Sequence, residues 1–167
     1  MSDNKLLLSE AYAPLSGALG HVVLGWSFIE TSFSHWIATI YKPLRADKIE
    51  REIPIQFKRK TKFLKRCFNQ VTPLNAFRDE ALDLINVAHQ LNDHRNFLLH
   101  GVLSTYDRQD HEFKFVRLNV PKHDRQMHYA ETRTYTIEKI LEIGGECHET
   151  STKCIDLSER LINEIIL

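Results

Sequence analysis

At 167 residues, 43% of them apolar, the chain can bury one core and is short for two comfortable domains, so residues 1–167 are expected to form a single domain. Lysine plus arginine and aspartate plus glutamate both total 22, which excludes a global field drawing the protein to nucleic acid or membrane and leaves only local charge for such binding. Cys67, Cys147 and Cys154 are an odd number without framework spacing, residues 1–11 lack the charged start and apolar core of an export signal, and no apolar run approaches the roughly 20 residues that span a bilayer, so a reducing cytoplasm and no membrane partner are expected.

In chain order, the spacing predicts a first helix from about Leu15 to Tyr41, with Leu19, Val22, Trp26, Ile29, Phe33, Ile37 and Ile40 as its buried stripe and Pro43 after its end. Glu30 interrupts that stripe and should face inward, where an unpaired carboxylate is costly. Either it fixes helix register by pairing with a core polar group, or it orients Arg95, its candidate partner.

Pro54 suits the first turn of a second helix, in which Phe57, Thr61, Leu64 and Phe68 make one face. Lys58, Arg59, Lys60, Lys62, Lys65 and Arg66 cover the rest and form the one strong charge cluster. It reads either as a solvated face or as a set of phosphate contacts for RNA, since backbone recognition depends on positive charge. Thr72 and Pro73 then read as cap and first residue of a third helix, whose core stripe is Leu74, Phe77, Ala81, Leu84, Ile85, Ala88 and Leu91.

Arg95 continues that stripe and is followed by Asn96, Phe97, Leu98, Leu99, His100 and Gly101. A guanidinium stays charged at ordinary pH, so on a core-facing stripe it needs an acid, a second subunit or a bound anion. At 100° per residue, Asn96 and His100 lie about 40° apart while Arg95 and His100 diverge by roughly 140°, so one helix is not expected to close the site alone. Gly101 is read as the left-handed stop of the helix. His100 would then occupy the last turn, where the carbonyl end of the helix favours positive charge.

After Gly101 the pattern changes to short strands over Val102 to Tyr106, Phe113 to Val120 and His128 to Tyr135, separated by polar turns at Asp107–Asp110 and Pro121–Asp124. Thr136 would cap a last helix carrying Ile137, Ile140, Leu141, Ile155, Leu161 and Ile165, with Gly144–Gly145 as a bend. The fold class expected is mainly α, with helices over about 15–101 and 136–166 and a small antiparallel β-meander over about 102–135 inserted before the last helix.

Several constellations carry no chemistry. Cys147 and Cys154 lie about 10 Å apart along a helix axis, too far for one tetrahedral metal, and are read as core. His89 and His94 are five residues apart instead of four and so do not form helix-borne zinc ligands; no metal and no cofactor is expected. Arg117 and His123 fit a looser arginine-to-histidine spacing, but Leu118 follows and Pro121 intervenes.

The run R-N-x-x-x-H, here Arg95, Asn96 and His100, resembles the signature of HEPN domains, and the likeness extends over about the first hundred residues: a long first helix with an inward acid, a basic second helix and a third ending in R-N-x-x-x-H-G. The resemblance implies an antiparallel helical bundle, to which residues 102–135 would be an addition. It also implies a metal-independent endoribonuclease in which the ribose 2′-hydroxyl attacks the adjacent phosphate, leaving 2′,3′-cyclic phosphate and 5′-hydroxyl ends. That reaction needs a proton acceptor, a proton donor and a cation for the phosphorane charge. His100 would be base or acid, Arg95 would grip the phosphate, and Asn96 would orient His100 or bind a phosphate oxygen.

Glu30 would support Arg95, and Lys58, Arg59, Lys62, Lys65 and Arg66 would contact RNA. The family commonly places two such motifs face to face across a dimer, so a homodimer with a composite site is expected. Some HEPN toxins carry a tyrosine two residues after the histidine that a partner enzyme modifies; here that position is Val102, which leaves a protein antitoxin or regulator as the route of control. The setting implied is a toxin or phage-defence effector acting on host or viral RNA. Two other readings stand beside it: a non-catalytic HEPN-like dimerisation or nucleotide- or RNA-binding module, and a regulatory partner whose basic second helix is the working surface.

Overall fold

The computed structural model describes residues 3–107, 109–119 and 129–166, with side chains from Tyr12 onward. The expected strand ends at Val120 and His128, the turn containing His123, and Arg108 lie outside the described residues. The chain is mainly helical with a three-stranded antiparallel sheet, in the order α1 (Asp3–Tyr41), α2 (Phe57–Gln70), α3 (Arg78–His100), β1 (Val102–Asp107), β2 (Glu112–Asn119), β3 (Tyr129–Thr136) and α4 (Ile137–Ile165). It divides into two compact units, residues 1–24 with 91–146 and residues 25–90 with 147–167.

Helix α1 begins well before the expected Leu15 and runs through Pro14. A proline inside a helix removes one backbone hydrogen bond, and flanking alanines and leucines have the helix propensity to bridge the gap. The third helix departs from expectation in the opposite sense: Thr72–Phe77 forms a 3-10 segment, and the α-helix starts only at Arg78.

In the first unit, β1, β2 and β3 form a meander in sequence order. Val102 faces Val116 and Tyr106 faces Phe113 across the first pair, with a register shift between Leu103 and Thr105, while Phe115 faces Arg133 and Phe113 faces Tyr135 across the second. Alternation along the strands sends Phe113, Phe115 and Tyr135 into a core shared with Leu91, Phe97, Leu98, Ile140 and Ile143. Thr136 caps α4 as expected, its Oγ1 accepting a hydrogen bond from the Lys139 amide at 3.2 Å.

In the second unit, segments of α1, α3 and α4 pack with α2 around Phe33, Trp36, Phe63, Leu64, Phe68, Leu74 and Ile85, all nearly or fully buried. Trp36 donates its indole N–H to the Cys154 carbonyl at 3.1 Å and to Ser158 Oγ at 2.8 Å, so a large ring is buried without losing its hydrogen bond.

Helix α4 is not interrupted at Gly144–Gly145. Within the first unit a Cβ on Gly144 would overlap the His21 ring, so this glycine serves helix contact rather than chain reversal. Within the second unit a Cβ on Gly25 would come to 2.8 Å from Cys147 Cβ. The core stripe of α4 differs from expectation in that Leu141 and Ile155 are exposed and Ile143 and Leu157 are buried, while Cys147 and Cys154 are core as read. Among the described residues no helix is long and apolar enough to cross a membrane.

Candidate functional site

The last two turns of α3 belong to the first unit and carry Arg95, Asn96 and His100. Arg95 and Asn96 are half-buried and His100 is exposed. Arg95 Nη1 donates to Asn96 Oδ1 at 2.8 Å and lies 3.4 Å from His100 Nε2. Thus one helix does gather the three side chains, contrary to the expectation from their angular divergence. The Cα positions diverge, but the long arginine side chain reaches along the helix and closes the gap. A guanidinium only donates, so the contact with His100 is a hydrogen bond when the imidazole is neutral with its proton on Nδ1.

The helix ends without a left-handed residue at Gly101, since no described glycine has a positive φ. The Gly101 amide continues the helical pattern, donating to the Phe97 carbonyl at 2.9 Å. A side chain at this position would still be excluded, because a Cβ would stand 2.5 Å from that carbonyl oxygen. The glycine therefore allows β1 to leave directly after His100.

The run is braced from the sheet side. Phe97 is fully buried, with the Arg133 guanidinium 4.4 Å and the Arg117 guanidinium 4.8 Å from its ring centre. Arg133 donates to Asp93 Oδ2 at 2.7 Å and to Glu131 Oε1 at 2.7 Å. Arg117 and Asn119 donate to the other oxygen of Glu131 at 3.1 and 2.8 Å. Burial opposes charge on Arg133, but its hydrogen bonds to Asp93 and Glu131 outweigh that and raise its pKa. The Arg133 hydrogen bond, followed by that from Asn119, holds the Glu131 carboxyl below the usual range. His94 Nδ1 stands 3.3 Å from the hydroxyl of buried Tyr135. None of this bracing is visible in the sequence, because the side chains that meet Asp93 and the Phe97 ring, Arg133 and Arg117, sit on β3 and β2.

Two of the remaining expectations change within the second unit. Glu30 is half-exposed, and its salt bridge is to Lys60 at 3.8 Å. Lys60 is buried, not part of the solvated basic face, and donates to Ser34 Oγ at 2.8 Å. Of the expected RNA contacts, Arg59 is engaged by Glu50 and Glu52. Lys58, Lys62, Lys65 and Arg66 instead line one cleft of about 430 Å³. Thr61, Asn69 and Gln70 from the same helix and His89 from α3 complete it. Lys65 Nζ ties the two walls together by donating to Asn86 Oδ1 at 2.8 Å. The His89 ring meets Phe57 edge-on at 5.4 Å. Burial, then the charges of Lys65 and Lys58, lower the His89 pKa from its ordinary 6.5. No group of three or more His, Cys, Asp or Glu side chains among the described residues is placed to hold a metal ion.

No family model matches the chain, and neither a curated protein nor a solved structure matches it.

Proposed function

We propose that Arg95, Asn96 and His100 are the active centre of a metal-independent endoribonuclease. The observation that carries this reading is the Arg95 guanidinium held between Asn96 Oδ1 and His100 Nε2 on one exposed helix end. A phosphate approaching Arg95 would exchange the long contact to His100 for a charge-assisted bond to its own oxygens, freeing Nε2 as a base for the ribose 2′-hydroxyl. The developing phosphorane charge would then lie on the arginine fork, with Asn96 keeping the guanidinium oriented. The products are a 2′,3′-cyclic phosphate and a 5′-hydroxyl, and DNA, lacking the attacking hydroxyl, is inert.

A single histidine gives either the acid or the base, so a two-fold dimer that supplies a second motif remains the favoured assembly. With the HEPN resemblance, the proposed setting is a toxin or antiviral-defence effector restrained by a protein antitoxin or regulator. The test is incubation of the protein and its His100→Ala variant with total RNA and transfer RNA in excess chelator, with analysis of the product ends. Cleavage that gives cyclic phosphate ends and is lost in the variant is expected. Cleavage retained in a folded variant removes His100 from the chemistry.

The lysines and arginine lining the α2 cleft favour a second reading, a non-catalytic RNA- or nucleotide-binding module. Folded, dimeric protein that binds RNA without cutting it selects that reading.

A further inference from the structure

We infer that the cleft between α2 and α3 in the second unit is a binding site for a phosphate group carried by a nucleotide or an RNA strand, with Lys58, Lys62, Lys65 and Arg66 as its cations and His89 as its ring wall. This inference rests on the reading of the α2 cleft as an RNA- or nucleotide-binding surface and is separable from any chemistry at Arg95 and His100.

The first ground is charge placement. α2 has no acidic residue in its sequence, its first turn holds Lys58 and its last turn no base. A helix dipole favours the reverse, acids first and bases last. Lys58, Lys62 and Arg66 follow one another at spacings of four, where like charges repel on a helix surface. Several cations outside the cleft pair with carboxylates: Arg59 with Glu50, Lys60 with Glu30, Arg133 with Asp93 and Arg160 with Glu80. Among the described residues none of the four cleft cations has such a partner. A face that gathers uncompensated positive charge against its own dipole is complementary to a bound anion.

The second ground is shape. The lining positions recur every three or four residues along α2, so the cations form one wall instead of a ring around the helix. The opposite wall is α3, fixed at Asn86 by Lys65. About 430 Å³ falls within the range of small-ligand sites and exceeds what a lone inorganic ion fills. Lysine stems give such a wall an apolar body below its charged heads, and the His89 ring offers a face for a base to stack on. Gln70 and the second amide hydrogen of Asn69, whose first goes to the Lys65 carbonyl, add neutral donors for phosphate or sugar oxygens. Burial lowers the pKa of His89 first, and the charges of Lys65 and Lys58, which a phosphate would neutralise, lower it further.

The test is calorimetric titration of the His100→Ala protein, which keeps an RNA strand intact, with adenosine, adenosine 5′-monophosphate and a short single-stranded oligoribonucleotide. A Lys62→Ala/Arg66→Ala variant and a Lys153→Ala variant in the same background accompany it, with circular dichroism to establish that each folds. Binding of the monophosphate and of the strand, absent for adenosine, is expected. The double variant should weaken it by about tenfold or more, from the loss of charge-assisted hydrogen bonds, while Lys153→Ala leaves it unchanged. Binding of the strand alone, with the same loss in the double variant, supports the site and identifies the strand as the source of the phosphate. Absence of binding by both phosphate ligands, equal binding of adenosine, or full affinity in the folded double variant overturns the inference. None of these outcomes depends on cleavage.

Discussion

The guanidinium of Arg133 lies 4.4 Å from the centre of the Phe97 ring, which ties strand β3 to a residue inside the run from Arg95 to His100. Phe97 is thus one turn of α3 and one layer of the first unit's core at once. The consequence is that the spacing between Arg95 and His100 is held by the sheet as well as by helical hydrogen bonds.

Phe97→Ala should destabilise the protein by about 3–5 kcal/mol, because it removes a fully buried ring and leaves two guanidinium groups facing a cavity. Arg133→Met keeps much of the side-chain volume and removes the charge. It should cost about 1–3 kcal/mol, since Asp93 loses its donor and Glu131 keeps only those on its other oxygen, while both acids remain partly open to water. Urea unfolding checks both. If Arg133→Met unfolds at the wild-type midpoint, the ring contact and the acids make no net contribution.

A pH effect follows from the buried thiols. Burial pushes Cys67 and Cys154 from 9.0 up to about 12. In the unfolded chain these thiols ionise near their ordinary value, while in the folded chain they stay protonated. The folded state therefore binds more protons between pH 9.0 and about 12, and stability present below that window falls as pH rises through it. Thermal unfolding at a series of alkaline pH values should show the decline, and Cys67→Ala/Cys154→Ala should flatten it. At neutral pH, alkylation of both thiols should be slow in native protein and fast in denaturant.

Glu30 gives a discriminating result of a different kind. Its salt bridge is to Lys60, with the two side chains 37% and 11% exposed, so the pair is not a fully desolvated one. Glu30→Gln should change stability by less than about 1 kcal/mol. Lys60→Met, which replaces a buried amine with an apolar chain of similar length, should be neutral or mildly stabilising. If Glu30 instead orients Arg95 for RNA cleavage, Glu30→Gln will lower kcat against RNA by tenfold or more without moving the unfolding midpoint.

The elements most legible in the sequence are those set by one periodicity. The stripe from Leu74 to Leu91 is buried as read, and so is that of α1 from Val22 to Ile40. The strands and the cap at Thr136 were legible for the same reason, since alternation and capping are local rules. Lys60 departs from expectation because nothing local in the sequence shows that Ser34 and Glu30 of a neighbouring helix receive its amine. The closure of Arg95 onto His100 is not legible from helical angles, which locate Cα atoms, while a guanidinium acts several ångströms away. The spacing of His89 speaks only against a metal site, and spacing along α3 holds no information about the basic wall of α2 opposite it.

The glycines of α1 allow a last comparison that separates helix propensity from helix contact. Gly17 and Gly20 have open space where a Cβ would stand, whereas Gly25 faces Cys147 Cβ at 2.8 Å and the His148 backbone nitrogen at 3.1 Å. Alanine in a helix interior is favoured over glycine by about 0.8–1.0 kcal/mol, so Gly20→Ala should raise stability by roughly that amount. At Gly25 the same gain is opposed by overlap with a Cβ and with backbone, neither of which can rotate away. Overpacking of this kind costs about 1–3 kcal/mol, so Gly25→Ala should be net destabilising. Opposite shifts of the thermal midpoint in the two variants are expected. A rise in both would mean that α1 and α4 of the second unit separate at little cost, and that their contact at Cys147 does not limit stability.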